Sequence, residues 1–191
     1  MDYTLVAIIS YLFGSVPFGF VLSKLFLKID IREIGSGNIG ATNALRTGNK
    51  LIAYSTLILD ILKAVIPVLY IKIYHQELIF ISALCAFLGH VFPIWLKFKG
   101  GKGVATYVGI LVSINLICGL VFSAIWLMVY LISKYSSLAS LIGSLSVPLY
   151  ILLTKQDNLI FYFIMFILIF YTHKENIKRL INKEENKTKI Y

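Results

Sequence analysis

Three short stretches of the 191-residue chain concentrate side chains able to hold an anion and move a proton. The first runs Gly35-Ser36-Gly37-Asn38-Ile39-Gly40-Ala41-Thr42-Asn43-Ala44-Leu45-Arg46. Its opening fits G-x-G-x-x-G, but no strand precedes it and no βαβ unit follows, so a dinucleotide fold is not implied. The physics still applies. Glycines let backbone N–H groups approach an anion, and a helix beginning near Ala41 would aim its positive end there. Ser36, Asn38, Thr42 and Asn43 add hydrogen-bonding groups, and Arg46 adds a two-pronged oxyanion clamp. A plain linker does not need so dense a polar cassette.

The second stretch is Gly89-His90-Val91-Phe92-Pro93-Ile94-Trp95-Leu96-Lys97-Phe98-Lys99-Gly100-Gly101-Lys102-Gly103-Val104-Ala105-Thr106. It is not a Walker loop, because the spacing and the Lys-Ser/Thr pair are wrong. Gly100, Gly101 and Gly103 around Lys102 nevertheless suit a phosphate nest at a helix start. Lys97 and Lys99 read more readily as headgroup anchors. A packing role for His90 weighs as much as a catalytic one. The third stretch is His173-Lys174-Glu175-Asn176, in which His173 and Asn176 share a helical face at i and i+3. His173 could orient or deprotonate a hydroxyl, and Asn176 could bond a hydroxyl or phosphate oxygen. Glu175 points elsewhere and reads as a structural brace. Two smaller features accompany these. Asp60 and Lys63 stand at i and i+3 inside an apolar run, where unpaired charge is expensive, so they read as a structural pair. Ser137, with Ser140 as the competing register, opens a later run.

The elements that must position these residues are membrane helices. Hydrophobic residues make up 59% of the chain and charged ones 14%, and mean hydropathy is +0.85. Soluble domains carry about 45–50% apolar residues. Seven apolar segments appear, over 3–26, 51–74, 78–96, 104–117, 118–133, 138–154 and 158–172. The stretch 104–133 reads either as one long helix or as two short ones turning near Ser113 to Asn115. The start lacks a basic leader, so the first segment reads as a retained span. No metal spacing or disulfide framework involves Cys85 or Cys118.

Charge sets the topology. The formal net charge is +9, which in a soluble protein would suggest nucleic acid; here the positive-inside rule explains it and no nucleic-acid partner is expected. Seven spans with the N-terminus outside place 15 of the 18 basic residues on the cytoplasmic side. Only Lys72 and Lys155 fall outside, with Lys63 in the membrane. The expectation is therefore an all-α polytopic membrane protein of seven transmembrane helices, N-terminus outside and C-terminus cytoplasmic. One membrane domain covers 1–181, and a frayed polar tail covers 182–191. Gly14, Ser15, Pro17 and Gly19 read as packing and bending residues of the first span.

In order and spacing the three stretches resemble the signature motifs of the bacterial acyl-phosphate-dependent glycerol-3-phosphate acyltransferases. Ile39 stands where many relatives carry Pro. The resemblance implies transfer of a fatty acyl group from acyl phosphate to the 1-hydroxyl of sn-glycerol 3-phosphate. The products would be 1-acyl-sn-glycerol 3-phosphate (lysophosphatidic acid) and phosphate, in phospholipid biosynthesis. It implies a bacterial inner-membrane enzyme whose active site faces the cytoplasm, needing no cofactor or metal and linked in function to the enzyme that makes acyl phosphate. It matches Ser36, Arg46, Lys102, His173 and Asn176 to catalytic positions. Substrate binding would fall to Gly35, Gly37, Asn38, Thr42, Asn43, His90, Gly100, Gly101, Gly103 and Ser137, and structural support to Glu175. The alternative class is a polytopic transporter of phosphate-containing anions, which should carry related halves with mid-membrane sites. No repeat is evident.

Overall fold

The computed structural model describes residues 2–188, and among them every regular element is helical. Two compact units divide the chain between Ile114 and Asn115.

In the first unit, α1 (Tyr3–Ser15) begins at Asp2, whose carboxylate accepts the Thr4 N–H. The helix stops at Val16, which the following proline forces into an extended conformation. It resumes as α2 (Phe18–Leu22), runs into a π-helical turn over Ser23–Leu27, and ends at Lys28 in the left-handed region. The span expected over 3–26 is therefore a broken helix. A one-turn α3 (Ala41–Ala44) precedes α4 (Lys50–Tyr74), which Asn49 caps through the Ile52 N–H. α5 (Ile79–Val91) ends just before Pro93, and α6 (Val104–Ile114) starts directly after Gly103. α1 packs on α5, with Gly14 laid against the Ala86 backbone and Ser10 Oγ 2.8 Å from Ser82 Oγ. Small and hydroxyl residues are what membrane helices use to approach closely, since lipid supplies no hydrophobic drive between them. α4 packs on α6 through Gly109, which lies on the Ile61 carbonyl.

In the second unit, Asn115 caps α7 (Leu116–Ser133), its side-chain oxygen accepting from the Ile117 and Cys118 N–H groups. Residues 104–133 thus form two helices. Lys134, with φ 62°, turns the chain into α8 (Ser136–Leu153), which packs on α7. α9 (Leu159–Thr172) bends by 63° into α10 (Lys174–Ile181).

Among the described residues, five stretches are long and apolar enough to cross a bilayer: Tyr3–Leu27, Lys50–Tyr74, Gln76–Leu96, Leu116–Ser133 and Ser136–Leu153. The bent pair α9–α10 makes a sixth if counted as one span. The seven apolar segments of the sequence are all helical, but α6 has only 11 residues. At 1.5 Å per residue it is about 16 Å long, half of a hydrocarbon core. The outward surface suits lipid: Ile132, Leu153 and Ile160 are all more than three-quarters exposed.

The tail expected to fray from 182 is instead tied back by hydrogen bonds at several of its described residues. Lys183 turns back at φ 61°, and Thr188 exchanges bonds with Lys134 and Tyr130. Residues 189–191 of that expectation lie outside the described residues.

Candidate active site

The first polar loop is organised by one buried side chain. Asn43 Nδ2 donates to the carbonyls of Ile31 (3.0 Å), Ile34 (2.9 Å) and Asn38 (2.8 Å). Its Oδ1 accepts from the Ser36 N–H at 3.0 Å and the Ser36 hydroxyl at 3.3 Å, and meets Arg46 Nη1 at 3.4 Å. Ser36 and Arg46 are themselves exposed, so the hub is hidden while these two side chains reach the surface. Asn38 folds the loop locally, accepting the Gly40 N–H at 2.8 Å. Gly35 sits at φ 56°, and a side chain there would collide with Asn43 Oδ1 and Arg46. Gly37 takes a similar left-handed turn. Thr42 is half-buried on α3. The helix expected near Ala41 exists, but as a single α-turn it adds little dipole.

Asp30 and Arg32 brace the entry to this loop. Arg32 Nη2 lies 2.7 Å from the Asp30 carboxylate, and its guanidinium covers the Phe20 ring at 4.7 Å. The Arg32 hydrogen bond holds the Asp30 carboxyl down at about 2, below the usual range.

The second loop packs onto the end of α5. Gly100 N–H donates to the Val91 carbonyl and Gly101 N–H to the His90 carbonyl. A side chain at Gly101 would strike the His90 imidazole. These glycines are thus required by close packing, whatever else they hold. His90 is buried beneath the loop with Nδ1 3.8 Å from Asp60 Oδ1. Lys102 is half-buried at the tip, just before α6. Asp60 and Lys63 are paired at 2.8 Å, and Lys63 Nζ also donates to the Val16 carbonyl at 2.8 Å. That carbonyl lies at the break before Pro17, where it also accepts the Phe18 N–H at 3.1 Å. One ammonium therefore ties a buried carboxylate of α4 to the break in the first span.

The two loops share a foundation. Ile31, Ile39 and Ala44 of the first loop pack with Leu96 of the second and Ile52 and Ala53 of α4. Beside this cluster opens an apolar groove of about 300 Å³ lined by Val16, Pro17, Phe20, Val21, Trp95 and Leu96.

The third stretch lies in the second unit. His173 and Asn176 are buried, and Glu175 is exposed. His173 Nδ1 is 2.8 Å from the Ile169 carbonyl, which can only accept; Nδ1 therefore carries a proton, and the lone pair of the neutral ring is on Nε2. Ser137 is buried at the start of α8. It meets Glu185, as do Asn176 and Arg179. Ser140 instead bonds the Ser136 carbonyl and receives the Trp126 indole N–H. Arg179 and Glu185 did not stand out in the sequence, where both look like parts of a charged tail. The available signal was spacing: His173, Asn176 and Arg179 recur every third residue. Among the described residues no group of three His, Cys, Asp or Glu side chains is placed to hold a metal ion.

Comparison with known proteins points one way. The family model described as glycerol-3-phosphate acyltransferase matches residues 4–183. The glycerol-3-phosphate acyltransferase of Pelagibacter ubique is 69% identical over 191 residues, covering all of both chains. That of Brucella anthropi is 45% identical over 181 residues, 94% of this chain and 90% of its own. Among solved structures, PlsY (YgiH), an integral membrane glycerol 3-phosphate acyltransferase, matches in its glycerol 3-phosphate form. The TM-score is 0.92 at 35% identity, over 97% of this chain and 94% of that one. Its lysophosphatidic acid form matches with a TM-score of 0.89.

Proposed function

Because the chain belongs to the glycerol-3-phosphate acyltransferase family, we propose that it draws its acyl group from acyl phosphate. The acyl group passes to the 1-hydroxyl of sn-glycerol 3-phosphate, giving 1-acyl-sn-glycerol 3-phosphate and inorganic phosphate. The observation that carries this reading is the shared apolar cluster under the Ser36–Arg46 loop and the Lys102 loop. Because both loops rest on it, this cluster supports a reading in which the two act together.

In the reaction the hydroxyl oxygen bonds to the acyl carbon and the carbon–oxygen bond to phosphate breaks. Phosphate leaves with the electron pair. Since it is a good leaving group, the protein's main tasks are positioning and charge neutralisation. Arg46 and Lys102 supply cationic charge, and Ser36 donates a hydrogen bond. Asn43 acts through Ser36 and Arg46, as a positioning residue. His90 likewise positions the Gly100–Gly101 turn. His173 Nε2 accepts the hydrogen bond of the 1-hydroxyl, and the proton passes to that nitrogen or to the departing phosphate. Asn176 and Ser137 bind the glycerol phosphate. The acyl chain lies along the groove of Pro17, Phe20 and Trp95, where each buried methylene contributes about 0.8 kcal/mol.

The protein is integral to the membrane. We place its N-terminus outside and its C-terminus and active site on the cytoplasmic side of a bacterial inner membrane. Seven spans result when α6 counts as a short one, because the basic loop at 97–102 and the basic C-terminal region then share a side. Acyl phosphate is supplied by a separate enzyme. Thiol labelling of single cysteines at Lys155 and Lys178 checks this topology: outside-only reagent should reach the first and not the second.

The donor is tested by phosphate release from acyl phosphate by the purified protein. Release that needs glycerol 3-phosphate, with acyl-CoA inert, is the expected result. Faster turnover with acyl-CoA would overturn the donor assignment.

A further inference from the structure

Asp60 stands between two groups that lead to different parts of the proposed site. Its Oδ1 lies 2.8 Å from Lys63 Nζ and 3.8 Å from His90 Nδ1. All three residues are buried, none more than 3% exposed. His90 Nδ1 makes no hydrogen bond. The carboxylate is therefore the group that sets the state of the ring. Facing a negative charge, Nδ1 carries the proton, and the lone pair of the neutral imidazole falls on Nε2. A flipped ring would turn a C–H toward the carboxylate and lose that attraction.

On one side the contacts lead to the second loop. His90 lies beneath Gly101, where an added side chain would strike Nε2 and Cε1, and the Gly101 N–H donates to the His90 carbonyl at 3.1 Å. Lys102 is the next residue of the same turn. On the other side Lys63 Nζ donates to the Val16 carbonyl at 2.8 Å and lies 5.9 Å from the centre of the Phe18 ring. Val16 and Pro17 form one wall of the apolar groove, and Trp95 and Leu96, from the second loop, form another. A line of three side chains thus runs from the groove to the loop that carries Lys102, with Asp60 at its middle.

A pair kept for stability alone does not need its charges, because buried ion pairs can be replaced by well-packed neutral side chains at no cost in stability. What a neutral pair lacks is a charge that orients an imidazole on one side while it holds an ammonium on the other. Acyl phosphate is one molecule with a chain for the groove and a phosphate for the Lys102 loop. Both ends are held at once only when groove and loop keep a set separation, and errors near 1 Å are costly in such an arrangement.

We propose that Asp60 is a positioning residue for the acyl donor. Acting through His90 and Lys63, it fixes the separation between the groove for the acyl chain and the loop for the phosphate of the same molecule. This rests on the acyl-phosphate-dependent reading of the reaction.

The experiment uses the full-length protein in detergent. Thermal unfolding, kcat and the KM of each substrate are measured with a long donor, palmitoyl phosphate, and a short one, butyryl phosphate, whose chain does not fill the groove. Asp60→Asn alone leaves the Lys63 ammonium without its carboxylate, so the double variant Asp60→Asn, Lys63→Met carries the test. It should unfold closer to wild type than Lys63→Met does. Its kcat/KM for palmitoyl phosphate should nevertheless fall at least tenfold, with the loss for butyryl phosphate clearly smaller and the KM for glycerol 3-phosphate changed by less than about twofold. Two variants separate Asp60 from Lys63. His90→Asn keeps an N–H donor at the place of Nδ1, facing Asp60, and His90→Gln moves it to the place of Nε2. His90→Asn should therefore retain more palmitoyl phosphate turnover than His90→Gln, although glutamine fills the space better. Wild-type kcat/KM for palmitoyl phosphate in the double variant would overturn the proposal. So would equal losses with both donors, or His90→Gln outperforming His90→Asn, since each leaves Asp60 a packing residue. A wild-type protein inert with both acyl phosphates but active with acyl-CoA would sink the donor reading instead, and the same chain-length comparison with acyl-CoA would then decide the role of Asp60.

Discussion

The Asn43 side-chain oxygen accepts the Ser36 backbone N–H at 3.0 Å, and this bond places an exposed hydroxyl by means of a buried amide. The same amide holds three carbonyls of the loop, so its hydrogen-bonding capacity is consumed internally. Asn43→Ala should leave those carbonyls and the Ser36 N–H without their partner, at roughly 1–3 kcal/mol for each that stays dry. Activity should fall about a hundredfold in kcat/KM, with thermal stability reduced as well. Ser36→Ala should lower activity without the stability loss. Equal melting points for the two variants would contradict the hub.

Lys63 ties the broken first span to α4, and its loss should be felt in stability before chemistry. Lys63→Met leaves the Asp60 carboxylate buried without its cationic partner and removes one of the two donors on the Val16 carbonyl. The expected cost is about 3–5 kcal/mol. The double variant Asp60→Asn, Lys63→Met should recover part of it. Thermal unfolding in detergent reads both, and a double variant less stable than the single one would show that the pair is not the unit.

Much of this was legible in the residues, for physical reasons. Apolar runs near 20 residues have few fates, and the Asp60–Lys63 spacing fits one helical face. The turn near Asn115 could be located because asparagine is a good N-cap, although the sequence alone left open whether it splits the run. Other features were not legible. That Asn43 serves the loop itself depends on three carbonyls whose directions only the folded loop defines. Gly101 reads as a phosphate-loop glycine until His90 is found beneath it. Glu185 was hidden because a charged tail carries no period, and its partners come from two other helices. The short α6 limited the span count, since composition measures apolarity but not where helical geometry stops.

Gly101→Ala tests whether the second loop depends on its contact with His90. The added methyl group would push the loop off the imidazole and displace Lys102. Activity should drop at least tenfold through kcat, given the sensitivity of positioned groups to shifts near 1 Å. The double variant His90→Ala, Gly101→Ala should regain part of the loss by opening the space. No recovery would mean that the glycine serves the ligand and not the packing.

Asp30 predicts a weak acid sensitivity. Its folded value of about 2 lies below the ordinary 3.8, so its pairing with Arg32 stabilises the fold fully above pH 4. That contribution is lost as pH falls toward 2. Arg32 is 44% exposed, so solvent screening keeps the effect below about 1 kcal/mol. Asp30→Asn should remove this component of acid unfolding and little else; an unchanged acid midpoint slope between pH 4 and 2 would exclude it.

In the proposed reaction, His173 is the residue through which the destination of the proton can be tested. With Nδ1 committed to the Ile169 carbonyl, Nε2 is the ring nitrogen that could receive the hydroxyl proton. If His173 is the base, His173→Ala should lower kcat by about 10²–10⁴ and abolish the acid limb of its pH profile, because a base is lost to protonation as pH falls. If the departing phosphate takes the proton, the acid limb should survive in the variant and the loss should fall mainly on the KM for glycerol 3-phosphate. Saturating glycerol 3-phosphate separates the two. A variant that regains wild-type kcat at saturation, with its pH profile intact, leaves His173 as the group that orients the hydroxyl and assigns the proton to phosphate.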